Sequence, residues 1–195
     1  IIIIQMGVYT LLYSFKLRFY TFFTKKRFGK FGKNSFIVPT LNQLVGGRSI
    51  YVGDSVKIGK MATLTTWVGQ KNKGSIQIGS RAKIGDFIHV SAIDHIEIGE
   101  NVLTGRWVTI VDNSHGDISD CDVAPIMREL KSKGPVIIGN NVWLADKVTI
   151  CPGVTIGEGS IVGANSVVTK SIPPCSVAAG VPARIISQLN KDEQR

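Results

Sequence analysis

From about residue 50 the chain repeats every six residues. An apolar residue at position i is followed by a small residue at i+1 and a small or branched residue at i+4. The series runs Val52-Gly53 with Val56, Ile58-Gly59 with Ala62, Leu64, Ile78-Gly79 with Ala82, Ile84-Gly85 with Ile88, and Val90. It continues through Ile98-Gly99 with Val102, Thr104-Gly105 with Val108, and Ile110. The last block is Ile138-Gly139, Leu144-Ala145, Ile150, Ile156-Gly157, Val162-Gly163 and Val168, and fifteen rungs fit the frame in all. A period of six suits neither a 3.6-residue helix nor an isolated hairpin. It predicts a two- or three-residue strand, a corner, and the next strand on a new face. Three rungs close one triangular coil of a parallel β-solenoid, and coils stack about 4.8 Å apart through main-chain hydrogen bonds. Fifteen rungs predict five coils of an all-β fold. Pro173-Pro174 ends the repeat, and Ile185, Ile186 and Leu189 predict a short closing helix.

The frame breaks in three places. An eight-residue excursion lies around Gln70-Lys71-Asn72-Lys73-Gly74, and two extra residues separate Val90 from Ile98. The longest break lies between Ile110 and Ile138, where about twenty-two residues leave the solenoid. Long excursions from a repeat frame gather on one face and commonly carry function.

Upstream of the repeat, Val8, Leu11, Leu12, Phe15, Phe19 and Phe22 recur at three- and four-residue steps, which predicts an amphipathic helix. The uncharged opening from Ile1 to Phe15 is 15 residues, short of the ~20 that span a bilayer. The domain organisation is therefore a basic N-terminal arm over 1–48, a β-helix over 49–187 with an excursion loop at 112–134, and a C-terminal tail over 188–195.

Charge sharpens this division. The net charge is +9, yet residues 1–53 hold eight bases and no acid, and the remainder holds 15 bases and 14 acids. A nucleic-acid binder spreads its bases over the folded surface, so nucleic acid is not an expected partner. The arm has two open uses: covering the end of the solenoid, or lying on an anionic membrane face. Three Cys without a CxxC spacing argue against a disulfide framework and for a reducing compartment.

Candidate chemistry is sparse. His115 stands at the root of the long excursion, within Asp112-Asn113-Ser114-His115-Gly116. A neutral imidazole accepts a proton near pH 7. Asp112 is close enough in sequence to orient it, and Asn113 is a further acceptor-side candidate. His95 is expected on the same face as His115, one coil earlier. His89 is expected on the adjacent face as ordinary surface. The three His lack the close pair of a zinc site, and no metal is expected.

Three stretches then carry a family resemblance. They are Gly134-Pro135-Val136-Ile137-Ile138-Gly139-Asn140-Asn141-Val142-Trp143, Val167-Val168-Thr169-Lys170, and Ala178-Ala179-Gly180-Val181-Pro182-Ala183-Arg184. With His115 they closely resemble the hexapeptide-repeat acyltransferases, whose fold is a left-handed parallel β-helix. The nearest branches are the galactoside and maltose acetyltransferases and the O-acetyltransferases of capsule and lipopolysaccharide synthesis. The resemblance covers residues 50–187 but not the arm.

The resemblance implies a homotrimer with acetyl-CoA in a groove between neighbours and His115 as general base. It implies acetyl-CoA contacts at Trp143, Ala145, Asp146, Ala164, Thr169, Lys170 and Arg184. Lys170 and Arg184 suit CoA phosphates. The galactoside branch places an Asn on an earlier coil, whereas this chain reads Gly85-Asp86-Phe87-Ile88-His89 there. The expected activity is therefore O-acetylation of a sugar hydroxyl in a surface polysaccharide or its precursor. The expected place is the cytoplasm or the inner membrane face. The alternatives are N-acetylation of an aminosugar or other small amine, and a non-catalytic β-helix scaffold.

Overall fold

The computed structural model describes residues 2–67 and 73–188, with side chains from residue 12 onward. The excursion expected at 70–74 therefore lies largely outside the described residues, as does the tail beyond 188.

The chain winds as a three-sided prism with a parallel sheet on each side. Face A stacks Lys30–Phe31, Ile50–Val52, Ser75–Ile78, His95–Ile98, Val136–Ile138 and Thr155–Ile156. Face B stacks Phe36–Ile37, Lys57–Ile58, Lys83–Ile84, Leu103–Thr104, Trp143–Leu144, Ile161–Val162 and Ser176–Gly180. Face C stacks Gln43–Val45, Thr63–Thr66, His89–Ala92, Thr109–Val111, Thr149–Ile150 and Val167–Val168. Partners are in register, for example Leu64 beside Val90 and Thr109 beside Thr149.

The hexad frame accounts for the core. Ile58, Leu64, Val90, Ile98, Ile110, Ile138, Leu144, Ile150 and Ile156 at position i are fully buried, and so are Val56, Ala62, Ile88, Val102, Val108 and Val148 at i+4. The small residue at i+1 answers a steric demand. A Cβ on Gly85 would sit 1.9 Å from the Gly105 carbonyl oxygen of the next coil. At many corners a left-handed residue comes two positions later, as at Phe87 (φ 59°) and Trp107 (φ 55°). The two rings stack across consecutive coils with centroids 4.8 Å apart.

Three features differ from the sequence-based expectation. Residues 30–45 form a further coil, so the prism starts inside the segment assigned to the arm and has six complete coils among the described residues. Their inward residues follow a six- then seven-residue step without the small i+1 partner at Ile37 and Leu44, which hid them.

Secondly, the chain after Pro182 forms a strand instead of the expected helix. Ala183–Gln188 runs antiparallel to Ser176–Gly180 after a turn at Gly180 (φ 105°). The last strand of face B leaves open N–H and C=O groups, and this segment pairs with them.

Thirdly, among the described side chains the N-terminal helix α1, Ile2–Thr24, docks through its last turns. Thr21 and Thr24 are buried, and the Thr21 hydroxyl accepts from the Ile37 N–H at 3.0 Å. The Tyr20 hydroxyl accepts from the Leu41 N–H. Phe15, Phe19, Phe22 and Phe23 point outward. Among the described residues no helix is long and apolar enough to cross a membrane.

Candidate active site

The long excursion leaves face C at Val111 and returns on face A at Val136. Its root is a short antiparallel hairpin of Asn113–His115 with Leu130–Ser132, which pairs His115 with Leu130. Two 3₁₀ turns, Ile118–Asp120 and Pro125–Met127, form the outer part. Lys131 Nζ ties the first of them back, 2.7 Å from Asp120 Oδ2 and 3.1 Å from Asp117 Oδ2. Hydrogen bonds from Ser119, side chain and backbone, and from Lys131 hold the Asp117 carboxyl at a pKa of about 2. This clamp therefore stays charged at physiological pH.

The root is bolted to the coil above. Asp112 is fully buried. Its two carboxylate oxygens accept from the N–H groups of Ile93 and Asp94, each at 2.9 Å. The corner left by the two inserted residues thus receives its hydrogen bonds from Asp112. The Asn113 side-chain amide donates to the Ser91 carbonyl at 2.9 Å. Asp112 consequently does not orient His115 by a direct hydrogen bond, as the sequence suggested. It anchors the hairpin whose third residue is His115.

His115 is exposed, and its ring has no hydrogen-bond partner among the described residues. It stands at the end of a groove of about 450 Å³ that runs along face C over four coils. Gln43, Thr65, Trp67, His89, Ser91 and Asn113 line the groove beside it. The Trp67 indole N–H donates to Ser91 Oγ at 3.3 Å, which fixes the ring along the wall. Partial burial lowers the His89 pKa from its ordinary value, so this ring is neutral at pH 7.

The two remaining His thus exchange the roles expected for them. His95 opens a strand of face A, away from the groove; its Nδ1 lies 2.8 Å from Ser75 Oγ. The insertion forms the corner at Ile93 and Asp94, so the next face has begun by residue 95. His89 lies on the groove. The residues missed from sequence, His89 and Ser91, flank the inward Val90 and Thr65 follows the inward Leu64. Tracking outward positions of the same frame would have found them.

The remaining candidates fall into two groups. Ala145, Asp146 and Ala164 lie along the corner between faces B and C, where Asp146 Oδ1 accepts from the Arg106 N–H at 2.8 Å. Trp143 is exposed on face B just before that corner. Arg184 joins the group from the last strand, paired with Ala179. Thr169 and Lys170, both exposed, lie on the opposite corner, between faces C and A. His115 leaves the prism by that second corner, two coils earlier. The width of face C separates the two groups on one chain.

Of the thiols, burial raises the Cys151 pKa, so it is not a ready nucleophile. Among the described residues, no three His, Cys, Asp or Glu side chains gather as a metal cluster.

Comparison with known proteins agrees with this architecture. A family model described as bacterial transferase hexapeptide (six repeats) matches residues 135–170. An Escherichia coli K12 protein named for lipopolysaccharide biosynthesis O-acetyl transfer, WbbJ, is 37% identical over 152 residues, covering 73% of this chain and 77% of its own length. The galactoside O-acetyltransferase of the same organism is 46% identical over 100 residues, 49% of this chain and 45% of that one. Among solved structures, the hexapeptide-repeat acetyltransferase VCA0836 of Vibrio cholerae, complexed with acetyl-CoA, is 26% identical with a TM-score of 0.56, covering 86% and 74% of the two chains. The N-acyltransferase AntD of Bacillus cereus has the same fold, with a TM-score of 0.73 at 23% identity and 88% of each chain covered. The chain belongs to the hexapeptide-repeat acyltransferases. It is accordingly an enzyme of acyl transfer, not a bare scaffold.

Proposed function

We propose that this protein transfers the acetyl group of acetyl-CoA to a sugar hydroxyl of a surface polysaccharide or its precursor, with His115 as general base. The observation that carries this reading is the exposed imidazole of His115, without a hydrogen-bond partner among the described residues, at the end of a groove walled by an indole and small polar side chains. Aromatic faces take up the apolar side of a sugar ring, and hydroxyl and amide groups match its rim. The resemblance to proteins named for lipopolysaccharide and galactoside O-acetylation supports the acceptor class.

The sugar hydroxyl gives its proton to His115 as its oxygen attacks the thioester carbonyl carbon. A backbone N–H at the loop root stabilises the resulting oxyanion. Collapse breaks the C–S bond, and the imidazolium returns the proton to the departing CoA sulfur. Transfer is direct, because among the described residues no activated nucleophile stands by to form an acyl-enzyme. Acetyl-CoA supply locates the reaction in the cytoplasm.

The active unit is a homotrimer. A carrier gripped by Ala145, Asp146, Ala164 and Arg184 on one corner cannot also reach His115 and Lys170 across face C of the same chain. When that corner of one protomer abuts the opposite corner of the next, both groups line one crevice. Ile118, Ile126 and Met127 at the excursion's tip are largely exposed, as a segment that packs on a neighbour would be.

Incubation with labelled acetyl-CoA and sugar acceptors should yield a product whose label is released by mild alkali, as for an ester. An alkali-stable amide would transfer the assignment to N-acetylation.

A further inference from the structure

The orientation of α1 is inverted relative to a helix that only caps a core. Leu12, Phe15, Phe19 and Phe22 follow a three- and four-residue rhythm and form one stripe, with Phe23 beside it; all are more than half exposed. Phe19 and Phe23 meet edge to face at 4.9 Å, and Phe22 and Phe23 at 5.3 Å. The buried stripe of the same helix carries Thr21 and Thr24. Burial of a Phe ring is favourable, so a mere cap would turn the rings inward.

At the base of α1 a cavity of about 310 Å³ opens between the helix and the first coil. Arg18, Lys25 and Lys33 line it with Phe22, Phe31 and Phe36, and no acidic side chain does. Lys25 and Lys26 lie 5.5 and 5.1 Å from the Phe22 ring centroid. Asp54, the first acid of the chain, accepts from the Lys33 backbone N–H.

We propose that the aromatic stripe of α1 and the three-cation cavity at its base dock the protein on an anionic phospholipid bilayer. The rings enter the boundary between headgroups and acyl chains, where aromatic side chains are favoured. A lipid phosphate sits among Arg18, Lys25 and Lys33, and the other arm cations add attraction to the negative surface. Lipid binding stands apart from the proposed catalysis. Its consequence rests on that reading: the groove begins at Gln43, on the coil that α1 covers, so docking brings its end toward a lipid-borne acceptor.

The test is sedimentation of the full chain with vesicles of phosphatidylcholine alone, or of equal parts phosphatidylcholine and phosphatidylglycerol. The protein is expected to pellet with the mixed vesicles and stay in solution with the neutral ones. Phe19→Ser with Phe22→Ser, and Arg18→Glu with Lys25→Glu, are each expected to weaken the partitioning by about tenfold or more. Both pairs should leave thermal stability and oligomeric state unchanged, since all four side chains are exposed, those at the cavity included. Failure to pellet, or equal pelleting with both vesicles, overturns the proposal. Dissociation of the oligomer by the Phe variant also overturns it, by assigning the stripe to a second copy of the chain.

Discussion

His115→Ala is expected to lower the turnover of acetyl transfer by about 10²–10⁴-fold, the range set by loss of a general base. The ring is exposed and makes no hydrogen bond among the described residues. Its removal therefore leaves no buried group unpaired and no cavity in the core, and thermal stability should stay within about 0.5 kcal/mol of the parent. Acetyl-CoA affinity should also change little, because the proposed carrier contacts, Lys170 and Arg184 among them, are other side chains. The expected signature is thus a collapse in kcat with stability and donor binding retained, read by steady-state kinetics beside a thermal melt. Near-parental turnover in the variant would remove His115 from the mechanism. His89 is the nearby imidazole on the groove, and burial already keeps it neutral.

Asp112→Ala should produce the largest loss of stability, about 3 kcal/mol. The fully buried carboxylate accepts from two backbone N–H groups, at Ile93 and Asp94. Hydrogen bonds to a charged group contribute roughly 1.5–3 kcal/mol each, and their loss leaves both donors unsatisfied. Asp112→Asn retains one acceptor oxygen and should fall about halfway. Activity should drop as well, since the hairpin that presents His115 loses its anchor. Urea unfolding followed by circular dichroism measures the difference. A loss below about 1 kcal/mol would mean that the corner finds its hydrogen bonds elsewhere.

The parts of the molecule that were readable from sequence are those where one steric rule repeats. At Ile58-Gly59, Ile84-Gly85 and Ile138-Gly139 the inward residue and the close approach of the next coil recur at a fixed step, so the prism declares itself. The first coil escaped because Ile37 and Leu44 lack a small residue after them. The last strand escaped because Ile185 and Ile186 suit a helix or a strand alike, and the open edge of face B decided between them. For α1 the rhythm of apolar residues located the helix but not its docked side. The neighbouring coil offers backbone groups at Ile37 and Leu41, and Thr21 and Tyr20 satisfy them.

The site was half readable for a related reason. His115 drew attention because it stands where the frame breaks. The frame places inward residues with confidence, whereas the break before His95 set which face that residue joined. Asp112 looked like a partner for an imidazole one helical turn away in sequence; burial and two waiting amides gave it a structural role instead. Nothing in linear sequence places Ala164 and Lys170 on opposite corners of one prism. That placement is the ground for the proposed trimer.

Subunit complementation tests this most directly. Chains carrying His115→Ala and chains carrying Ala164→Trp, which blocks the carrier corner, are expected to be inactive alone. Co-expressed with different tags and purified through both, they should form mixed oligomers in which the intact His115 of one chain faces the intact corner of another. In a trimer that contains both chain types, one of its three interfaces pairs an intact His115 with an intact corner, so about a third of the sites would be restored. Activity no higher than that of either parent would place the whole site within one chain and contradict the account.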